Sequence, residues 1–64
     1  MSITLLTRLY RQYRMLMLES QRMAITAAAA NNHDLFVMHK SLADQYDHKS
    51  INIETLMKNK KLLT

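Results

Sequence analysis

The sequence has no cysteine, glycine, proline or tryptophan among its 64 residues. Without cysteine there is no disulfide scaffold and no thiolate metal or redox chemistry. Without glycine there is no phosphate-cradling glycine-rich loop, and only Asn or Asp can readily take a left-handed turn. The joint absence of glycine and proline argues against a turn-rich all-β domain. No apolar run approaches the roughly 18 residues of a membrane span. The N-terminus lacks the basic-then-apolar order of an export signal, so the expected location is the cytoplasm.

What remains is short, basic and rich in helix formers. Nine Lys and Arg against five Asp and Glu give a formal charge of +4 and a pI near 9.8. Methionine occurs six times, a high share for so short a chain. A globule of this size buries only roughly 60% of its unfolded surface. Ordering it costs on the order of 1.5 kcal/mol per residue, so the net balance lies near zero. Small natural proteins add disulfides, a metal or a second subunit. With disulfides excluded and the metal case weak, a homodimer is expected.

One break divides the chain, at Asn31-Asn32-His33-Asp34. Asn31 suits the left-handed position that ends a helix. Asn32 is a strong N-cap for the next one. Asp34 then places negative charge in the first turn, against the helix dipole. The spacing predicts a helix over about 3–30, capped by Ser2 or Thr4, a turn over about 31–33 and a helix over about 33–60. The first seam is read as Leu6, Leu9, Tyr13, Leu16, Met23 and Ala27, flanked by Tyr10, Met17, Ala24 and Ala28. The second is read as Leu35, His39, Leu42, Tyr46, Ile53 and Leu56, with Phe36, Ala43 and Met57 beside it and Lys49 and Ser50 interrupting it. Asp47-His48-Lys49-Ser50 is the weakest helical stretch and the place for a kink or fray, and 59–64 is expected to be ragged. The fold class is therefore all-α: a single-domain antiparallel hairpin of two long helices, dimerising into a four-helix bundle. Folding about the Asn pair sets residue i near residue 63−i. Ala27 then meets Phe36, Ser20 meets Ala43, Leu16 meets Tyr46, and Tyr13 meets Ser50.

One hairpin does not account for the back of the first helix. On a helical wheel Arg8, Arg11, Arg14 and Arg22 fall opposite the seam, together with Met15, Leu18 and Ile25. Scattered apolar surface residues are one reading, because soluble proteins carry them. A homodimer built around the first helices is the second. A face for another protein is the third, since Met and Arg are enriched at such surfaces. The back of the second helix, with Lys40, Asp44, Asp47, His48, Glu54 and Lys58, reads as an ordinary solvated face.

The same arginines allow nucleic-acid contact as an alternative, because clustered Arg is an electrostatic footprint for phosphate. Tyr10 and Tyr13 point toward the seam, however, which makes them core residues rather than a stacking platform. A helix-turn-helix is disfavoured by two long helices and no glycine. His33, His39 and His48 do not share the three- or four-residue spacing that brings ligands together on a helix, and a structural zinc site wants four ligands. Neither metal nor cofactor is expected. Nor is an enzyme: the acids are dispersed, and a two-helix hairpin offers no pocket that excludes water. A membrane-surface helix fits poorly, because its polar face would contain Met15, Leu18 and Ile25.

The chain resembles the small early proteins of lambdoid bacteriophages encoded between the exonuclease and excisionase genes. The resemblance rests on length, on Thr7-Arg8-Leu9-Tyr10-Arg11-Gln12-Tyr13-Arg14, on the Ala27 to Ala30 run, and on Met38-His39-Lys40-Ser41-Leu42-Ala43-Asp44-Gln45-Tyr46. It spans the chain but contains no functional motif. It implies a protein made early in infection or induction, in the cytoplasm of the bacterial host. By the same resemblance it would bias host physiology and the choice between lysis and lysogeny; the expected function is that of a non-enzymatic regulatory protein that binds a host or phage protein. No active residues carry over.

Overall fold

The computed structural model describes residues 3–63, with side chains described over 3–60. Two helices make up the fold: α1, Ile3–Ala29, and α2, His33–Leu63. They pack against each other as an antiparallel hairpin whose long axis is 50 Å. The predicted α1 cap at Ser2 lies outside the described residues. Thr4 is inside the helix rather than capping it.

The turn is built by the two asparagines. Asn31 has φ 58°, in the left-handed region. Its N–H donates to the Ala28 carbonyl at 3.1 Å, and the Asn32 N–H donates to the Ala27 carbonyl at 2.8 Å. This pair of bonds is a Schellman motif, which satisfies carbonyls that the helix end would otherwise leave open. Asn32 then serves the following helix. Its Oδ1 accepts the Leu35 N–H at 3.2 Å, and its carbonyl accepts the Phe36 N–H at 3.0 Å. Asp34 occupies the first turn of α2. In a chain without glycine, Asn supplies the left-handed residue at modest cost because its short polar side chain tolerates that region.

α2 runs unbroken through the stretch expected to kink and extends to Leu63, past the predicted end near residue 60. His48 Nδ1 lies 2.8 Å from the Asp44 carbonyl, and Ser50 Oγ donates to the Asp47 carbonyl at 2.8 Å. Both side chains thus bond back to their own helix, a local arrangement that helices accommodate without breaking.

The seam differs from the one the sequence suggests. The fully buried residues are Leu6, Met17, Ser20, Ala24 and Ala27 on α1, and Ala43, Ser50 and Ile53 on α2. Most of these are small. Together with the half-buried Tyr10, Tyr13, Phe36, His39, Tyr46 and Met57, they recur with a strict seven-residue period. They occupy positions a (10, 17, 24; 36, 43, 50, 57) and d (6, 13, 20, 27; 39, 46, 53) of a coiled-coil heptad. Ser50, expected to interrupt the seam, lies at its centre with 0% exposure. Its hydroxyl is satisfied within its own helix, and its small volume lets the helices approach closely. Met23, Leu35 and Leu56, expected in the seam, are exposed. These three lie one position off the repeat, on its g side, and so turn away from the sister helix.

Contacts across the seam follow the expected register to within a helical turn. Thr7 Oγ1 donates to Met57 Sδ at 3.5 Å. The Tyr13 ring lies 6.3 Å from that of Tyr46 in a tilted contact, and Lys49 Nζ sits 5.7 Å from the Tyr13 centroid. Tyr13 therefore lies against Tyr46 and Lys49, four residues and one residue before the expected Ser50.

Candidate interaction surface

The heptad sorts the remaining residues of each helix into two flanks and a back. On one flank, position e, the helices present Arg14 and Gln21 from α1 and Lys40, Asp47 and Glu54 from α2. Arg14 Nη1 donates to Asp47 Oδ1 at 3.1 Å, and it lies 3.6 Å from Met17 Sδ. Lys58 pairs with Glu54 at 3.5 Å, and Lys40 Nζ lies 5.7 Å from the Phe36 centroid. This flank is closed by polar groups that water also reaches.

On the opposite flank, position g, the rows read Leu9, Leu16 and Met23 on α1, and Leu35, Leu42, Lys49 and Leu56 on α2. Met23 and Leu56 are 53% and 52% exposed. Leu5 and Met38, both exposed, border the same side. Near the turn, Met23, Ala27 and Ala30 join Leu35 and His39 around a shallow, mainly apolar groove. His39 Nδ1 is buried there without a hydrogen-bond partner.

The residues singled out from the sequence are not one patch. Met15 and Leu18 stand on the ridge of α1, 64% and 53% exposed. Arg8 and Arg11 line a depression with Ile3, Thr4 and Thr7. Arg22 reaches toward Met23 and the apolar flank. Ile25, 70% exposed, turns toward Lys40 and Asp44 on the polar flank. Arg14 leaves the set: it was expected opposite the seam, but it is half-buried at the seam's edge, committed to Asp47. It was misplaced because the expected seam was centred toward Leu9, Leu16 and Met23, which put the opposite edge of the true seam on the back of the helix.

The apolar g flank was not recognised as a unit from sequence. Its signal was present in the seven-residue steps Leu9, Leu16, Met23 and Leu35, Leu42. It was hidden because three- and four-residue steps merged it with the seam.

Among the described residues, no three His, Asp or Glu side chains come together in a way that could hold a metal ion. Among the same residues, no helix is long and apolar enough to cross a membrane. Comparison of the chain with protein-family models, curated proteins and solved structures gives no match.

Proposed function

We propose that this chain is a small, non-enzymatic regulatory protein that acts by binding another protein through the back of α1. The observation that supports this most directly is the exposure of Met15, Leu18 and Ile25 on a helix whose seam is already filled. Arg8, Arg11 and Arg22 flank Met15 and Leu18 along α1, and Ile25 continues the apolar ridge toward the polar flank. An apolar ridge with arginines at its rim suits a partner surface with an apolar centre and acidic edges. The working form is a homodimer of hairpins arranged as a four-helix bundle, which gives a chain of this size the core that one hairpin lacks. The resemblance to early phage proteins supplies the setting: a bacterial host cytoplasm, a host or phage target, and an influence on the choice between lysis and lysogeny.

The runner-up is nucleic-acid binding by the same arginines. It is weakened by the engagement of Arg14 with Asp47, which leaves three arginines of the original four on the back of α1.

Affinity capture from infected host extract separates these readings, using wild type, Leu18→Glu and a triple Ser variant of Arg8, Arg11 and Arg22. The proposal expects one protein that binds wild type, persists as salt rises and is lost with Leu18→Glu. Retention of nucleic acid that falls steeply with salt and needs the arginines would replace it with the runner-up. Indifference to every change on this face would leave only a structural bundle.

A further inference from the structure

We propose that two copies of this chain pair through the g flank, and that the back of α1 stays outside the dimer. This rests on the dimer reading above and names the surface that forms it. A hairpin that were complete in itself would need apolar residues only at a and d, the narrow seam of a two-stranded coiled coil. Here a third heptad position is apolar on both helices: Leu9, Leu16 and Met23, then Leu35, Leu42 and Leu56. An a, d and g pattern is that of a helix facing two neighbours, as in a bundle core. The hairpin supplies one neighbour and a second copy supplies the other.

Size and charge both favour a second copy. Its apolar rows run from Leu9 to Met23 and from Leu35 to Leu56, about 20 Å and about 30 Å at 1.5 Å per residue. At two helix diameters of about 10 Å across, they offer about 500–600 Å² per chain, so a face-to-face pair buries about 1,000–1,200 Å², the lower end of the range for specific interfaces. The flank carries one charge within its rows, Lys49, and one of opposite sign at its border, Glu19, which a pair can place in complement. The back of α1 is the reverse. Its charges are Arg8, Arg11 and Arg22, so a second copy docked there would set arginine against arginine. The polar flank is no rival, since Arg14 and Asp47 already satisfy each other across it.

Sedimentation equilibrium on the full chain tests this. Wild type is expected at twice its 7.5 kDa mass. Met23→Glu and Leu56→Glu should weaken the dimer by about 100-fold or more, the scale of losing a central apolar anchor. Met15→Glu and Leu18→Glu should leave it dimeric, whatever they do to capture of another protein. A wild type that is monomeric throughout overturns the proposal, and so does a dimer broken only by the Met15 and Leu18 variants.

A second measurement avoids disruptive charge, in case the Glu variants do not fold. The native chain has no cysteine, so single Met23→Cys and Leu18→Cys variants can each be alkylated with a maleimide. Met23→Cys should react several-fold more slowly as protein concentration rises, with Leu18→Cys unchanged. Equal, concentration-independent rates at both positions overturn the pairing.

Discussion

The two long flanks of the hairpin are built on one backbone and one repeat, yet they face different surroundings. The e flank joins the helices through Arg14 and Asp47 and shows water a row of charges. The g flank shows water leucine and methionine. Of the seam's fourteen positions, five are alanine or serine: Ser20, Ala24, Ala27, Ala43 and Ser50. Small residues bring the helices close but bury little apolar area, so the larger side chains that would have formed a core are displaced to one side. That displacement is what the proposed pairing of two copies would cover.

Changes to the seam should damage both flanks at once and give the largest effects. Leu6 is nearly fully buried, and Leu6→Ala should cost about 2–5 kcal/mol through lost burial and the cavity left behind. Ser50→Leu should cost about 1–3 kcal/mol, because the added carbons have no space between closely packed helices. Urea unfolding followed by circular dichroism measures both. A Ser50→Leu variant as stable as wild type would mean that the seam has room beside residue 50.

Lys49 sharpens the comparison in the other direction. It is the one charge in the g rows. Lys49→Leu should raise stability by about 1–2 kcal/mol, the scale of burying one more aliphatic side chain. The gain should appear as a higher melting temperature and a tighter dimer. His39→Leu should add about 1 kcal/mol by removing a buried nitrogen without a partner. The smallest effect belongs to the polar flank. The Arg14 and Asp47 side chains are each about two-fifths exposed. Replacing Arg14 with Met should therefore cost at most about 1 kcal/mol and leave the dimer intact. A larger loss would show that the e flank, too, helps to define the fold.

The turn and the lengths of both arms were legible in the sequence because their signals are local. Asn31 and Asn32 act within a few residues of themselves, and without glycine or proline there were few other places for a turn. The seam was only partly legible. Each helix has an apolar arc wider than one neighbour can cover, and a wheel cannot say which part faces the sister helix. The deciding factor was volume: Ser20, Ala24, Ala43 and Ser50 take the centre because they allow close approach, while Met23, Leu35 and Leu56 do not fit there. Ser50 looked like an interruption because its polarity was weighed and its size was not. Of the candidate site, Met15, Leu18 and the outer arginines stand where the sequence placed them. Arg14 was misassigned because the seam was centred toward Leu9, Leu16 and Met23, and its partner Asp47, 33 residues away along the chain, gave no local signal.

The central claim is that the apolar flank is covered by another copy of the chain rather than by water. Thermal unfolding over a hundredfold range of protein concentration tests it most directly, because a folded state that depends on association melts higher as concentration rises. The account predicts a melting temperature that climbs with concentration in wild type. It predicts a smaller climb or none in Met23→Glu and Leu56→Glu. A wild-type melting temperature independent of concentration, together with a monomeric mass, would contradict it.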